Sequence, residues 1–534
     1  MKIYYNGPIL TMEDNKKTAE ILIEQNGRIL FVGKKEEAHT YIADDAEWID
    51  LSGHTLMPAL LDAHSHISDT AMLLKSANLQ EAHSFDDVTT IFKAFIAEHS
   101  TGQEPFIVGL GYDHNALAEH RHPDKTVLDA ASSTRPIVMV HTSLHMCVVN
   151  SKMLEYLGID ENTVTPEGGI IGRVGESLEP NGYLEELAFN PIYELVCKQL
   201  ALTSDDIANA QQVYLKNGIL TIQEGSTDEP VVQACRKAAD EGKLVCDLVA
   251  YPCFNFGRGI GRSFEDNADC IRKYKNHFKI GGYKLILDGS PQGRTAWMSE
   301  PYEDSDDFCS SGWLSDDEVQ QYTTQCIRDH QQVLAHCNGD AAAEQFINAC
   351  EQALNDFPDD NARPVMIHCQ TVRDDQLDRM AKLGIIPSIF VDHVYYWGDI
   401  HLKNFGPVRG PHISPAKAAL ERNMCVNFHT DCPVVMPHLF QTAWTAVNRI
   451  TKNGIVLGAD QCIDIWDALK ALTINAAYGY FEEHEKGSLK VGKLADLIII
   501  DQNPLTVDKM SLKNIHVLEC IKEGETVYCS QAQH

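Results

Sequence analysis

The chain has little positive charge for its length. Lys and Arg together number 44 against 76 Asp and Glu, so the formal net charge over 534 residues is −32. A surface of this sign argues against nucleic acid and anionic membranes as partners and favours solubility. No apolar run approaches the length of a membrane span. The N-terminus has no charged segment leading into an apolar run, so we expect no signal peptide.

Several reactive motifs are also missing. The 16 cysteines are scattered, and no two of them form the C-x-x-C pair of a zinc knuckle or a redox site. This pattern favours reduced, buried cysteines and a cytoplasmic location over a disulfide framework. The sequence has no G-x-S-x-G nucleophile elbow. The glycines of GGIIGRVG do not have the spacing of a nucleotide fingerprint, and they indicate turns instead.

Short strands are expected at both ends of the chain. The run AEILIEQNGRILFVG places two apolar segments around Asn26-Gly27, which is a strong hairpin signal. The segments 487–501 and 516–529 are rich in strand-forming residues. Neither end can bury a core alone. We therefore expect residues 1–57 and 485–534 to pair into one small β-sandwich domain.

The central residues 58–484 alternate between strand and helix patterns. The candidate strands are 57–63, 218–225, 244–253, 280–288, 331–336, 364–368, 385–391 and 424–430. Helical patterns separate most of them, as in the run after Asp340, a residue that can cap its helix. Eight such strands predict an α/β fold built on a (β/α)₈, TIM-type barrel. The stretch from about 70 to 215 does not fit this spacing, and we expect a large insertion after the first barrel strand.

The segment PALLDAHSH ends the first candidate strand with two histidines. Side chains two residues apart on a strand point to the same face, so His64 and His66 can bind one metal ion. Active sites of such barrels lie at the carboxyl ends of the strands. Four further strands end in metal-capable or charged residues, which are Lys284, His336, His368 and Asp431.

These residue types suit a divalent ion. Neutral imidazoles and a carboxylate are ligands of Zn²⁺ and related metals, and the carboxylate of Asp431 can accept a proton from a water activated by the metal. Lys284 is unusual, because an ammonium group cannot bind a cation. It fits if it is neutral or carboxylated by CO₂; the alternative is a structural lysine paired with a carboxylate such as Asp288.

The order H-x-H, Lys, His, His, Asp resembles the ligand order of the amidohydrolase superfamily. The resemblance extends over nearly the whole chain and is closer to the branch that contains YtcJ and N-substituted formamide deformylase. The segments that carry it are GLGYDHN (109–115), HMCVVNSKML (145–154), GGIIGRVGESLEPNGYLEE (168–186), YKLILDGSPQGRTAWMSEPY (283–302), HCNGDAA (336–342), IHCQ (367–370) and GSLKVGKLADLIIID (487–501).

The resemblance implies a role for each matching residue. His64 and His66 would hold the buried metal, and a carboxylated Lys284 would bridge it to a second ion held by His336 and His368. Asp431 would bind a metal and act as the catalytic general acid/base.

Three further residues are candidates for substrate binding. His145 would extend from the insertion toward the substrate, and Arg294 would bind a substrate carboxylate or oxyanion. His393 would line the pocket within an aromatic cluster, although a structural role is open for each of the three. The chain also departs from the family pattern, because His429 and Thr430 stand where Gly-Ser is common before the aspartate. The role of His429 is therefore open.

The expected protein is a cytoplasmic, metal-dependent hydrolase of a carbon–nitrogen bond outside a peptide, such as an amide, N-acyl or N-formyl group. Its cofactor would be one or two divalent ions, with Zn favoured, and Lys284 could be an N6-carboxylysine. The partner would be a small-molecule substrate, with no nucleic acid and no membrane, and a homodimer is compatible with the fold. Deamination, ester hydrolysis or isomerisation on the same metal site stay open, as does a non-catalytic metal-binding protein.

Overall fold

The computed structural model describes residues 1–530 with the exception of Lys16, Glu81, Thr101, Asn115, 142–145 and 257–259. The chain divides into two compact units. The larger contains Met1–Ile67 and Ile207–His534, and the smaller contains Ser68–Asp206. Within the described part of the chain, no helix is both long enough and apolar enough to cross a membrane.

Both ends of the chain contribute to one eight-stranded mixed sheet. Its strands, in order across the sheet, are Glu525–Cys529, Val517–Lys522, Leu497–Ile500, Thr55–Pro58, Lys2–Leu10, Thr18–Gln25 and Arg28–Gly33, with Glu47–Asp50 paired beside Lys2–Leu10. Leu22 packs into one apolar cluster while its neighbours Ile21 and Ile23 pack into another, because successive side chains of a strand point to opposite faces. The two-layer form of the expected β-sandwich stays a prediction, since these strands follow one continuous order.

Two parallel sheets contain the central strands. The first sheet has the order Leu60–Leu61, Ile219–Thr227, Asp247–Pro252, Phe278–Ile280. The second has the order Gly282–Ile286, Gln332–Cys337, Val365–His368, Ile386–Ile389, Asn427–Phe428. The expected strand 280–288 is interrupted at Gly281, where an added Cβ would lie 2.4 Å from the Tyr251 ring. The architecture is α/β and TIM-barrel-like.

The expected first strand, 57–63, is wrong as one continuous barrel strand. Thr55–Pro58 pairs with Leu497–Ile500 in the sheet of the chain ends, whereas Leu60–Leu61 pairs with Ile219–Thr227. The backbone changes partner between Ala59 and Leu60, whose amides donate to Asp496 and to Gly218 respectively. One apolar run therefore serves two sheets, and hydrophobic pattern alone does not show such a division.

Backbone hydrogen bonds join the two parallel sheets at both sides. A parallel bridge pairs Cys253 with Lys284 on one side. On the other side, the amide of Asp431 donates to the His64 carbonyl at 3.1 Å, and the amide of His66 donates to the Cys432 carbonyl at 2.8 Å. The carboxyl ends of the first and last strands therefore lie next to each other.

Helices follow most of the parallel strands. In the larger unit they are Glu229–Asp240, Ile260–Asp266, Asp316–Arg328, Asp340–Asp356, Asp374–Leu383, His393–Arg409, Ala416–Glu421, Leu439–Asn448, Ile465–Ala471 and Ile474–Gly479. The smaller unit contains Phe85–Glu98, Lys125–Ala131, Ser151–Leu157 and Asn190–Leu200, and the helices Ile67–Leu74 and Ser204–Leu215 run across its two boundaries.

Two local predictions have different outcomes. The hairpin at Asn26-Gly27 is confirmed: φ is 53° at Asn26 and 79° at Gly27, the positive values that a two-residue hairpin turn needs. The prediction that Asp340 caps its helix is wrong. Asp340 is the first helical residue and Gly339 is the cap, and the Asp340 carboxylate instead accepts a hydrogen bond from the Ser299 amide at 2.8 Å and pairs with Arg373.

The smaller unit has its own six-stranded sheet. The order is Gly169–Arg173, Pro180–Glu186, Met146–Val149, Ile137–His141, Ile107–Tyr112, Ala77–Asn78. The last three strands are parallel to one another, and the remaining pairs are antiparallel. The strands Ile107–Tyr112 and Ile137–His141 are thus adjacent and parallel, and their carboxyl ends lie side by side.

Candidate metal centre

The structure brings the six expected metal ligands together. They come from the carboxyl ends of the parallel strands, as His64, His66, Lys284, His336, His368 and Asp431. Because parallel strands end at the same edge, side chains far apart in sequence converge there. His64, Lys284 and His368 are buried, and the Asp431 side chain is 13% exposed. The His66 and His336 side chains are 17% and 19% exposed, so the group is open to solvent through these two histidines and Asp431.

The donor atoms are close enough to share an ion. His64 Nε2 lies 3.3 Å from Lys284 Nζ and 3.5 Å from Asp431 Oδ1. His66 Nε2 lies 3.2 Å from the same carboxylate oxygen. The ligand atoms of His64, His368 and Asp431 all lie within 4.8 Å of one another. Tetrahedral zinc with bonds of about 2.0–2.1 Å separates its ligand atoms by roughly 3.4 Å, so these spacings suit such a centre.

Gln223, which sequence reasoning missed, fixes the tautomer of His64. The Gln223 amide nitrogen donates to the Ala63 carbonyl at 2.8 Å and lies 3.1 Å from the Tyr480 hydroxyl, which in turn donates to the Asp62 carbonyl. Its amide oxygen is therefore the acceptor that faces His64 Nδ1. His64 Nδ1 must carry the proton, which leaves the Nε2 lone pair directed at Lys284 and Asp431.

Asp288 orients His336 and does not pair with Lys284. His336 Nδ1 lies 3.1 Å from Asp288 Oδ1, and the amides of Asn338 and Gly339 donate to the same carboxylate at 3.0 and 2.7 Å. The alternative of a structural Lys284–Asp288 ion pair is therefore wrong. The carboxylate also accepts a hydrogen bond from the Trp297 amide at 3.0 Å, so an imidazole N–H and three backbone amides occupy it. His336 Nε2 is therefore unprotonated, and it faces the side-chain amide nitrogen of Asn338 at 3.3 Å.

His429 forms a buried chain with His368 and Ser388. His429 Nε2 lies 3.2 Å from His368 Nδ1, and His429 Nδ1 lies 3.0 Å from the Ser388 hydroxyl. Its ring is 5.3 Å from the His64 ring and 5.2 Å from the His368 ring. Burial, with a smaller opposing effect from Asp431, lowers the His429 pKa to about 3, so the ring is neutral. The departure from the family pattern thus lies within the centre.

The electrostatics match metal binding. Burial is the main reason that the pKa values of His64 and His368 lie well below the ordinary value, so both imidazoles are neutral. Burial alone would raise the pKa of Asp431, but His368, His66 and His64 outweigh it and hold that pKa well below its usual range. The set therefore offers neutral nitrogen donors and an ionised carboxylate, as a Zn²⁺-type ion requires.

Lys284 is buried, and no carboxylate among the described residues forms an ion pair with it. Burial lowers its pKa to about 8, and the charge of Asp431 opposes that shift. A substantial fraction of the amine is therefore neutral near pH 8. A neutral amine 3.3 Å from a histidine lone pair is compatible with metal binding, whereas an ammonium group at that point would repel the ion.

The backbone around the centre is under strain and tightly packed. His368 and Asp431 have φ values of 73° and 56°, which side-chain-bearing residues rarely adopt and which cost of order 1–3 kcal/mol each. Gly225 lies against His64, where an added Cβ would approach the imidazole Cε1 to 2.3 Å. The surrounding structure therefore imposes the position of these ligands.

The expected substrate-binding residues differ in their placement. His145 lies outside the described residues. The Arg294 guanidinium donates to Asn404 at 2.9 Å and lies 3.8 Å from Asp304, and no contact described for it reaches the six ligands. His393 is buried, with its Nδ1 3.0 Å from His401 Nε2. The substrate-binding roles of all three stay predictions.

Comparison with known proteins agrees with this geometry. A family model described as "Amidohydrolase family" matches residues 47–528. The chain is 25% identical to an N-substituted formamide deformylase of Arthrobacter pascens, over 98% of this chain and 97% of that protein. It is 24% identical to the putative amidohydrolase YtcJ of Bacillus subtilis strain 168, over 98% and 99% of the two chains.

Comparison with solved structures also finds similarity to a metal-dependent hydrolase. An uncharacterised metal-dependent hydrolase from Pyrococcus horikoshii OT3 superposes with a TM-score of 0.75 at 26% sequence identity, covering 95% of this chain and 99% of the other. The family model spans most of the sequence, and the convergent neutral imidazoles and carboxylate are a suitable ligand set for a divalent ion. The chain belongs to the amidohydrolase family and is a metal-dependent hydrolase.

Proposed function

We propose that this enzyme hydrolyses a carbon–nitrogen bond outside a peptide, in an amide, N-acyl or N-formyl group. The observation that carries the proposal is the convergence of His64, His66 and His368 with the Asp431 carboxylate at one strand edge. Similarity to an N-substituted formamide deformylase supports an N-formyl or N-acyl substrate. The proposal includes the barrel of residues 58–484, its insertion and a β-domain built from both chain ends.

The metal would be zinc, held by His64, His66 and Asp431, with His336 and His368 completing the set. When bound, a divalent ion lowers the pKa of a coordinated water and polarises the substrate carbonyl. The protein prepares for this by fixing the tautomers of the ligands. Gln223 holds the proton of His64 on Nδ1, and Asp288 accepts the Nδ1–H of His336, so in both rings Nε2 is unprotonated.

Asp431 would act as the general acid/base. Its Oδ1 lies within 3.5 Å of two histidine nitrogens, and its pKa stays well below the ordinary range, so it is an ionised proton acceptor at neutral pH. Its partial exposure lets it reach a water on the open side of the centre. The carboxylate would take a proton from the attacking water and give it to the leaving nitrogen as the bond breaks.

Lys284 would carry a carbamate. The neutral amine attacks the carbon of CO₂, forms an N–C bond and releases one N–H proton, which yields an anionic carboxylated lysine. The pKa of about 8 makes the neutral amine available. The carboxylated side chain would supply an anionic ligand to the metal centre, and His336 and His368 would hold a second ion. Without CO₂, Lys284 would face a mononuclear centre.

His429 would position His368. A neutral His429 that donates from Nδ1 to Ser388 accepts the proton of His368 Nδ1 at its Nε2. His368 Nε2 then carries the lone pair. In this arrangement His429 serves as the hydrogen-bond partner of a ligand, as Gln223 and Asp288 do for theirs.

A product assay tests the proposed function. Metal-loaded enzyme is incubated with N-substituted formamides, N-acetyl amines, cyclic imides, esters and amino-purines, and the released amine, acid or ammonia is quantified. We expect amine release from the formamides or N-acyl amines. Ammonia release alone would replace the proposal with deamination, and turnover of esters alone would replace it with an esterase. In each case Asp431→Asn has to abolish the signal, which excludes a contaminating enzyme.

A further inference from the structure

Four metal-capable side chains meet in the smaller unit. The proposed reaction uses none of these four. We call Asp113, His114, His122 and His141 the insertion cluster. Asp113 and His114 directly follow the strand Ile107–Tyr112, and His141 ends the strand Ile137–His141. The two strands are parallel neighbours, and Tyr112 is the register partner of His141. Their carboxyl ends therefore present these side chains at the same edge, as in the larger unit.

Three donor atoms form a small triangle. His114 Nδ1 lies 3.1 Å from His141 Nε2, and Asp113 Oδ1 lies 3.9 and 3.8 Å from these two nitrogens. Ligand atoms around tetrahedral zinc are roughly 3.4 Å apart. The two nitrogens are already slightly nearer than this and the carboxylate slightly farther, so shifts of about half an ångström would suffice.

The neighbouring side chains hold the imidazoles in place. The His122 ring packs on the His114 ring at a centroid distance of 3.9 Å and on the Tyr183 ring at 4.7 Å. The Tyr112 hydroxyl lies 3.1 Å from His122 Nδ1. This packing limits rotation of the rings, which reduces the entropy lost when a ligand binds.

Both imidazoles have to be neutral to bind a metal, and the ring that donates in the His114–His141 contact has to move its proton to the other ring nitrogen. Burial first, and the neighbouring histidines second, lower the pKa of His122 to about 4 and also lower the pKa of His141. Neutral imidazoles beside a carboxylate are the form in which these groups bind a transition metal. A hydrogen bond between two neutral rings explains the contact of His114 with His141, but it does not explain the carboxylate that faces both nitrogens.

We propose that the insertion cluster binds one divalent transition-metal ion of the zinc type through Asp113 Oδ1, His114 Nδ1 and His141 Nε2. Three protein ligands leave at least one coordination position for water or a small ligand. The donor set of two imidazoles and one carboxylate favours Zn²⁺, Co²⁺, Ni²⁺ or Cu²⁺ over Mg²⁺ or Ca²⁺. This site is separate in sequence from the six ligands of the larger unit and is independent of the proposed reaction.

Metal stoichiometry tests the site directly. The full-length protein is stripped with a chelator, reloaded with excess Co²⁺ or Zn²⁺, desalted and analysed for metal per chain. His114→Ala and Asp113→Asn should each contain about one ion fewer than the parent. His99→Ala is the matched control, because this exposed histidine of the same unit lies outside the cluster. In the Co²⁺ protein, the variants should also lose part of the visible absorption.

A double variant of the larger unit distinguishes the metal bound at the two sites. In His64→Ala/His66→Ala, which disables the metal centre of the larger unit, the ion of the insertion cluster should remain and should disappear only when His114→Ala is added. His141→Gln serves as a third ligand variant, and circular dichroism checks that each variant is folded. The proposal is overturned if folded His114→Ala and Asp113→Asn keep the parental metal content, or if His64→Ala/His66→Ala binds no metal at all.

Discussion

The metal centre of the larger unit and the insertion cluster share residue types. They differ in how deeply the ligands are buried and in which side chains hold the ligands in position. In the larger unit, the His64 side chain is 1% exposed. The Nδ1 atoms of three ligands each face a hydrogen-bond partner: His64 faces Gln223, His336 faces Asp288 and His368 faces His429. In the insertion cluster, the Asp113 side chain is 41% exposed and two ligand nitrogens face each other at 3.1 Å.

This difference indicates what makes a metal site strong. Partners that fix ligand tautomers typically change metal affinity by 10–100-fold. Three such partners in the larger unit should give it the tighter site, and the insertion cluster should release its ion first when a chelator is titrated in.

The largest effect is expected for Asp431→Asn. The amide keeps the shape of the side chain but cannot accept a proton, so kcat should fall by about 10²–10⁴-fold while metal content falls by less than one ion per chain. Steady-state kinetics and metal analysis check this result. Asp45→Asn, at an exposed aspartate, should behave as the parent. If Asp431→Asn kept the parental rate, Asp431 would not be the general acid/base.

Gly225→Ala should displace His64. The added methyl group would meet the imidazole at 2.3 Å, and such overpacking destabilises a protein by about 1–3 kcal/mol. We expect a lower melting temperature and a lower metal occupancy in the larger unit, with the insertion cluster unaffected. Gly261→Ala is the control, since its added Cβ meets nothing within 4 Å. Equal metal affinity in both variants would contradict the packing argument.

Gln223→Leu should weaken metal binding without removing a ligand. His64 would lose the acceptor that holds its proton on Nδ1, and the affinity of the larger unit should fall by about 10–100-fold. Competition with a fluorescent chelator measures this change. The exposed Gln352→Leu provides the comparison. If both variants bind metal equally well, then orientation by Gln223 does not contribute to the affinity.

The smallest effect concerns the pH dependence of stability. Burial lowers the folded-state pKa of His122 to about 4, below the value of about 6.5 in an unfolded chain. The neutral ring therefore contributes stability that is complete above pH 6.5 and is lost as the pH falls toward 4. Because the ring is only partly buried, we expect a contribution of about 1 kcal/mol.

A chelator-treated sample gives the measurement for His122. Between pH 7.5 and pH 5.0, the melting temperature of His122→Gln should fall by about 1 °C less than that of the parent. His99→Gln should follow the parent. An identical acid dependence in His122→Gln and the parent would mean that His122 does not resist protonation in the folded state.

Strand ends were the informative signal in the sequence. His64 and His66 follow an apolar run at a spacing of two, and His368 and Asp431 follow later runs, so parallel-strand geometry predicts that they meet. The same rule points to Asp113 and His141, which end adjacent strands of the insertion. This second group lies on strands of the insertion, outside the barrel pattern that makes such strand ends recognisable.

The partners of the ligands could not be predicted. Gln223 meets His64 across 159 positions of sequence, and nothing in its local pattern separates it from other polar residues on buried strands. Pairing of Asp288 with Lys284 is one of the alternatives that the sequence leaves open, yet Asp288 accepts hydrogen bonds from His336 and three backbone amides, a choice set by the loops that follow the strands. Hydrogen-bond partners of this kind depend on the folded loops, whereas the strand pattern fixes only the edge at which they meet.

Metal content per chain tests the central claim most directly. The parent, His64→Ala/His66→Ala and a control with the exposed His484→Ala are purified without chelator and analysed in parallel, together with amide hydrolysis. We predict that the double variant loses one or two ions per chain and all activity, whereas the control keeps both. A folded double variant with the parental metal content or the parental activity would contradict the assignment of this centre.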